Sequence, residues 1–303
     1  MKLTVLLSTY NGENYLREQL DSLVEQELRP IKILIRDDGS TDGTLAILDE
    51  YSKKYDYISY YTGENLKPAR SFWNLIDNSE EVDYYALCDQ DDVWFKDKLK
   101  RAVELLEKED NNIPLLYCSK YTLTDKDLNP IDSDVSSLYN FSDFAHALIY
   151  HTAPGCTFVF NEAARKRILE YDVNKEYCVI HDAIIHKVVT LFGKMILDNE
   201  SHMFYRQHGD NQIGMNANVV KTFIGRVNRF LFGNIKHYRS DTAKSLLRVY
   251  GEDCDRESRE LIDIVANYMN NDKLKRELLN RDCFKSYTVN DLFFKILVLF
   301  NYI

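Results

Sequence analysis

Apolar runs of strand length alternate with stretches of helical spacing along the first ninety residues, and each run stops in a polar motif. Leu3-Thr4-Val5-Leu6-Leu7 leads into the turn sequence Ser8-Thr9-Tyr10-Asn11-Gly12. Leu16, Leu20, Leu23 and Val24 then recur at helical spacing, before Pro30 and a second strand, Ile31 to Ile35. That strand ends in Arg36-Asp37-Asp38-Gly39-Ser40-Thr41-Asp42-Gly43-Thr44, after which Leu45, Ile47, Leu48 and Tyr51 begin another helix. Tyr84-Tyr85-Ala86-Leu87-Cys88 stops at Asp89-Gln90-Asp91-Asp92. Such alternation restricts the chain to right-handed βαβ units around a mostly parallel sheet. Ligands bind such sheets beyond the carboxyl ends of the strands, where residues 8–12, 37–44 and 89–92 fall.

A strand as short as residues 84–88 cannot bury three carboxylates beside it unaided, so Asp89, Asp91 and Asp92 face solvent or share a cation. Mg²⁺ and Mn²⁺ take oxygen ligands, usually one or two carboxylates plus substrate phosphates. The plainer alternative is an acidic turn with Asp92 or Asp97 capping the helix that begins near Lys98-Leu99. Downstream, His181-Asp182 precedes the apolar helix carrying Ala183-Ile184-Ile185 and Val188-Val189. Its first turn would stabilise Asp182 as the anion or use it as a cap. In Tyr205-Arg206-Gln207-His208-Gly209, Arg206 can meet a diphosphate bidentately. His208 can complete a metal shell or hydrogen-bond a leaving group.

Taken in order, Ser8-Thr9-Tyr10-Asn11, the segment Asp37 to Asp42 and Asp89-Gln90-Asp91-Asp92 resemble a family 2 glycosyltransferase with the GT-A fold, over roughly residues 1–215. The resemblance implies a nucleotide-diphospho-sugar donor, a divalent metal (Mg²⁺ or Mn²⁺) and inversion at the anomeric carbon. It puts Thr9, Tyr10, Asn11, Asp37, Asp38, Asp89 and Arg206 on the donor, with Asp37 or Asp38 at the nucleoside. Asp89 and Asp91 form its DxD motif, Asp91 as the direct metal ligand and Asp89 nearer the ribose or a bound water. His208 joins the metal set. Asp182 occupies the place of the general base, with His181 on the acceptor side where Glu is usual. The His-Asp pair and the Tyr-Arg-x-His segment look like the bacterial rhamnosyltransferase-like subgroup. That likeness implies dTDP-rhamnose as leading donor, a UDP-hexose as second, and a lipid-linked saccharide acceptor in cell-envelope or capsule assembly. Processive relatives carry Gln-x-x-Arg-Trp here, which this chain lacks, so addition of one or a few sugars is expected.

Two other classes fit less well. Asp38, Ser40, Asp42, Gly43 and Asp49 fall at offsets of a calcium-binding loop, but the closing position is not Glu, and Leu45, Ile47 and Leu48 occupy the loop. A sugar nucleotidyltransferase would need a glycine-rich phosphate loop, and neither a GxGxxG nor a P-loop pattern occurs.

With 303 residues and 45% hydrophobic content, the chain can bury one substantial core plus a small appended unit. No apolar run reaches the roughly 18 residues that span a bilayer, and no signal-peptide pattern opens the chain, so a cytosolic protein is expected. Six cysteines without paired spacing read as reduced, packed thiols, with Cys88, Cys118 and Cys156 in the core. The net charge is −10, yet residues 215–250 hold seven bases against Asp241 alone. Apolar Val219, Val220, Phe223, Ile224, Val227, Phe230, Leu231 and Phe232 interleave with them. This pattern suits an interfacial helix on anionic lipid or an ordinary packed helix with a basic outer face. No recognition motif for nucleic acid accompanies it. A catalytic unit over 1–215 and a mainly helical extension over 216–303 are expected. Residues from Tyr117 to Gly155 read as an irregular acceptor-side insertion, with Tyr139, Phe141, Phe144 and His146 suited either to stacking on a sugar or, equally, to core packing.

Overall fold

The computed structural model describes residues 1–131, 143–150, 153–208, 237–284 and 289–303. Its first half alternates β1 (Leu3–Thr9), α1 (Leu16–Val24), β2 (Lys32–Asp37), α2 (Thr44–Lys54), β3 (Ile58–Thr62), α3 (Lys67–Asn78) and β4 (Tyr84–Cys88). Then come β5 (Val93–Trp94), α4 (Lys98–Leu106), β6 (Leu115–Thr124), α5 (Phe144–Ile149), β7 (Val159–Asn161), α6 (Glu162–Leu169), α7 (His181–Phe192) and β8 (Lys194–Arg206). The strands form one mixed, mostly parallel sheet in the order β3-β2-β1-β4-β7-β6-β8-β5. Helices cover it, which is why β4 is buried along its whole length and reads as an unbroken apolar run.

β1 lies between β2 and β4, parallel to both, with Thr9 opposite Asp37 and Leu7 opposite Cys88. This register brings the three polar motifs out of the sheet side by side. Backbone and side chain then lace them together. The amide of Asn11 donates to Ser40 Oγ (2.8 Å), that of Thr41 to Asn11 Oδ1 (2.8 Å) and that of Gly12 to Thr44 Oγ1 (2.8 Å). Asn11 and Gly39 adopt left-handed backbone, with φ of 48° and 82°, which Asn and Gly accept most easily. The second strand runs two residues past its expected end at Ile35, through Asp37, because β3 continues the pairing to Thr62. The calcium-loop reading fails at Thr44, where α2 already begins.

Beyond β4 the pairing becomes antiparallel to β7, and β7 is antiparallel to β6. The expected insertion is in part regular: residues 115–124 form a long strand parallel to β8. Of the two readings for the aromatics, core packing holds for Phe144, which is buried in α5, and His146 pairs with Asp143 through Nδ1 at 2.6 Å. Tyr139 and Phe141 lie outside the described residues, as do the basic stretch up to Lys236 and the boundary at 215/216.

The described C-terminal part is helical: α8 (Tyr238–Tyr250), α9 (Arg256–Asn267), α10 (Asp272–Asn280) and α11 (Val289–Leu299). Leu246, Tyr250, Ile262, Val265, Phe294 and Val298 join the apolar core of the sheet domain. Among the described residues no helix is long and apolar enough to cross a membrane. All six cysteines are free, with Cys88, Cys118 and Cys156 buried.

Gly193 links α7 to β8. A Cβ there would lie 1.9 Å from the carbonyl oxygen of Pro114, the acceptor for the Lys194 amide at 2.9 Å. Because the obstacle is backbone, Gly193→Ala should lower unfolding stability by roughly 3 kcal/mol, read as a lower urea midpoint, whereas alanine at an open surface position would cost a few tenths.

Candidate active site

The acidic motif leaves the end of β4 and is fastened to the β1 loop by Gln90. Its Oε1 accepts from Thr9 Oγ1 (2.6 Å) and the Tyr10 amide (2.8 Å), and its Nε2 donates to the Tyr10 carbonyl (3.1 Å). A Cβ at Gly12 would sit 2.4 Å from Gln90 Oε1, so glycine leaves room for this fastening. Gln90 stands inside the motif that the sequence singles out, but nothing in its residue type announces a latch.

The three carboxylates have separate surroundings. Asp91 Oδ2 lies 2.8 Å from His208 Nε2, and the His208 ring rests 4.6 Å from that of Tyr15. Asp92 is buried and accepts from the Arg206 amide at 3.2 Å. Ligand atoms of Asp89, Asp92 and Cys156 lie within 4.8 Å of one another, a grouping able to hold an ion. Asp91 and His208 are thus brought together as expected, while Asp89 groups with Asp92 and with Cys156, which the sequence marks only as a packed thiol. Burial first, and then the neighbouring charges of Asp91 and Asp182, push the Asp89 carboxyl above the usual carboxylate range. Asp92 is raised well above it by burial and then by Asp91 and Asp89. Cys156 is likewise raised, by burial and then by Asp92, and remains a thiol.

Arg206 ends β8 and is buried. Its Nε donates to the Asp91 carbonyl (2.9 Å) and Nη1 to the Lys126 carbonyl (2.7 Å); Nη2 pairs with Glu18, and Cζ lies 4.7 Å above the Tyr15 ring. The guanidinium therefore grips the acidic motif from behind, and Glu18 and Tyr15 are partners that spacing alone did not reveal.

Asp182 sits in the first turn of α7, as expected, and not at the cap, which is Ile180. It is buried, with Oδ1 accepting from the Ala183 amide (2.8 Å) and Oδ2 from the Gly155 amide (3.1 Å). His181 stacks on Phe72 with ring centroids 4.2 Å apart. Gly155 allows this closeness, since a Cβ would fall 2.7 Å from His181 Nε2. The capping alternative for Asp97 also changes: that residue holds the N-cap position of α4, but its carboxylate faces His202 Nδ1 at 3.1 Å.

At the ends of β1 and β2, Thr9, Asp37 and Asp38 are buried, while Tyr10 and Asn11 are exposed. Asp37 accepts from the amides of Gly39 (3.0 Å) and Ser40 (2.9 Å), and Asp38 pairs with Arg36.

A family model described as glycosyl transferase family 2 matches residues 4–168, more than half of the chain. The dTDP-rhamnosyl transferase RfbG of Shigella flexneri is 30% identical over 259 residues, covering 78% of this chain and 82% of that protein. The putative glycosyltransferase EpsE of Bacillus subtilis is 33% identical over 108 residues, 35% of this chain and 39% of its own length. Among solved structures, Staphylococcus aureus TarS 1-349 in complex with UDP-GlcNAc shares the fold, with a TM-score of 0.59 at 17% identity, over 99% of this chain and 80% of that one. An α/β sheet with its acidic motif at the carboxyl edge, the span of the family match and the likeness to a rhamnosyl transferase together make this chain a GT-A-fold member of glycosyl transferase family 2.

Proposed function

We propose that this glycosyltransferase inverts the anomeric centre as it moves one sugar from a nucleoside-diphosphate donor to a saccharide acceptor. The observation that carries this reading is geometric: Asp182 accepts from the Gly155 amide at 3.1 Å, and the next residue, Cys156, has its thiol within 4.8 Å of the Asp89 and Asp92 carboxylates. Acidic groups from two separate elements then serve the two ends of one displacement. Asp182 takes the proton of the acceptor hydroxyl while that oxygen attacks the anomeric carbon, and the bond to the nucleoside diphosphate breaks on the opposite face. The Gly155 amide fixes the carboxylate, and His181 orients the acid or the sugar.

The donor set suits a hard divalent cation, Mg²⁺ or Mn²⁺. Asp91, with Asp89 and His208, would hold it; Cys156, kept a thiol by burial, offers no thiolate to favour a softer ion. Bound there, the ion supplies positive charge to the leaving diphosphate. Thr9, Tyr10, Asn11, Asp37 and Asp38 would contact the nucleoside, with the exposed Tyr10 ring available to the base. Arg206 supports the diphosphate through Asp91 and Asp92; contact with the phosphates themselves would require it to leave Glu18.

dTDP-rhamnose is the leading donor, supported by the Shigella flexneri relative, and a UDP-hexose is second, supported by the TarS complex with UDP-GlcNAc. A lipid-linked saccharide in bacterial cell-surface polysaccharide synthesis is the proposed acceptor. The enzyme would act in the cytoplasm at the inner face of the membrane, residues 1–215 forming the catalytic unit and 216–303 the associating one. Besides the basic stretch in the sequence, α11 and the residue after it carry Leu292, Ile296, Leu299 and Phe300 at 63, 42, 58 and 69% exposure.

Replacing Asp182 by Asn keeps shape but removes the proton acceptor, so turnover should fall by about 10²-fold or more with donor affinity nearly unchanged. His181→Ala should cost less; near-normal turnover of Asp182→Asn would remove the base.

Asp91→Asn should abolish Mn²⁺-dependent binding of UDP or dTDP, measured by calorimetry, without loss of fold. Protons compete for the raised Asp89 and Asp92, so in the wild type this binding should weaken as pH falls below neutral. Full activity in EDTA would sink the metal assignment.

Vesicles containing anionic lipid should retain the protein better than neutral ones, and salt should release it. Equal retention on both would return the exposed α11 residues to ordinary surface.

A further inference from the structure

Two cations of the acceptor half lack acidic partners among the described residues. Lys187, on α7, is 2% exposed, and among the described residues its Nζ donates only to the Ala183 carbonyl, at 3.3 Å. Arg239, near the start of α8, donates through Nε to the Ile149 carbonyl at 2.6 Å. No carboxylate forms an ion pair with either among the described residues, whereas Arg36, Arg101, Arg165, Arg206 and Arg248 each meet one. The two charges also share one aromatic ring: Lys187 Nζ lies 5.7 Å and Arg239 Cζ 6.0 Å from the centroid of Tyr238. The hydroxyl of Tyr238 is buried without a hydrogen-bond partner.

This arrangement is unfavourable as it stands. A desolvated charge needs a counter-charge or several hydrogen bonds, and a second cation beside it adds repulsion. Burial, and then Arg239, lower the Lys187 ammonium to about 7, while Asp182 opposes that shift. An anion between the ammonium, the guanidinium and the phenol would relieve all three groups at once. Guanidinium and ammonium together suit the tetrahedral oxygens of a phosphate, the guanidinium bidentately. Lys187 follows Asp182 by five positions on one helix, a rise of roughly 7.5 Å along its axis. The donor's diphosphate belongs at the acidic motif, so a phosphate here belongs to the other substrate.

We propose that Lys187, Arg239 and Tyr238 form an anion site that receives a phosphate group of the acceptor, one sugar ring away from the hydroxyl that Asp182 deprotonates. The proposal rests on the assignment of Asp182 as base and of the acidic motif as donor site. It restricts the acceptor to phosphorylated sugars, free or linked through phosphate to a lipid.

Inorganic phosphate is the first probe, titrated calorimetrically into the full chain already saturated with UDP and Mn²⁺, so that the donor site is filled. One phosphate should bind, and Arg239→Gln and Lys187→Met should each weaken it at least tenfold while UDP affinity stays within twofold. Lys187→Met removes a buried charge, so without phosphate it should melt at or above the wild-type temperature. Phosphate should raise the melting temperature of the wild type and leave that variant unmoved. Hexose 1-phosphates should displace the bound phosphate, and free hexoses should not. Normal UDP binding with no phosphate site, or with phosphate binding unchanged in both variants, would overturn the proposal. A site that admits the bare ion and excludes every hexose 1-phosphate would overturn its assignment to the acceptor. Failure of UDP to bind, or full turnover by Asp182→Asn, would instead remove the donor or base assignment on which it rests.

Discussion

Repulsion among four carboxylates is the constraint around which this structure is organised. Asp89, Asp91, Asp92 and Asp182 converge from the end of β4 and the first turn of α7, and burial strengthens each pairwise interaction. The fold opposes that repulsion with fixed positive groups of its own. Arg206 takes the Asp91 carbonyl and, through its amide, the Asp92 carboxylate. Asp182 accepts from two backbone amides at a helix N-terminus, where the macrodipole favours an anion. Behind the motif lies Lys98, fully buried, with Nζ 3.1 Å from the Cys156 carbonyl and 4.5 Å from the Trp94 ring. Burial lowers Lys98, and the acidic charge of Asp92 works against that lowering. The opposition is incomplete, since Asp89 and Asp92 stay raised.

Sheet topology delivers these groups to one place. Parallel pairing of β1 with β2 and β4 sets three loops side by side, and Gln90 and Asn11 hold them in register. The antiparallel step at β7 then changes direction, so that β6 and β8 run parallel to each other and end near the same edge. Arg206 and His208 reach a motif 114 to 117 residues earlier in the chain because of that return. Gly193 matters for the same reason: it joins the helix of Asp182 directly to the strand of Arg206.

The C-terminal helices pack against the helix of Asp182. Tyr250 packs edge-on to Phe192 with centroids 5.3 Å apart, so α8 closes against the end of α7. In the proposed reaction, acidic groups face the donor and basic groups face the acceptor, a polarity that would orient two phosphate-bearing substrates oppositely across one centre.

Local pattern alone made much of this legible. Residues 3–7, 31–35 and 84–88 announce strands because each crosses a covered sheet and has few polar positions to spare. The polar motifs at their ends, and Asp182 opening an apolar helix, follow from the same local chemistry. What a sequence does not encode locally is who meets whom. Gln90 as a latch, Glu18 and Tyr15 on Arg206, Cys156 between two carboxylates and the cation pair of Lys187 and Arg239 all arise from contacts between distant segments. Strand register and the antiparallel step decide those contacts. The alternation of apolar and polar residues determined the sheet and the edge at which the polar motifs emerge. Tertiary packing decided which charges are buried together, because desolvation and repulsion depend on distances that only the folded chain defines.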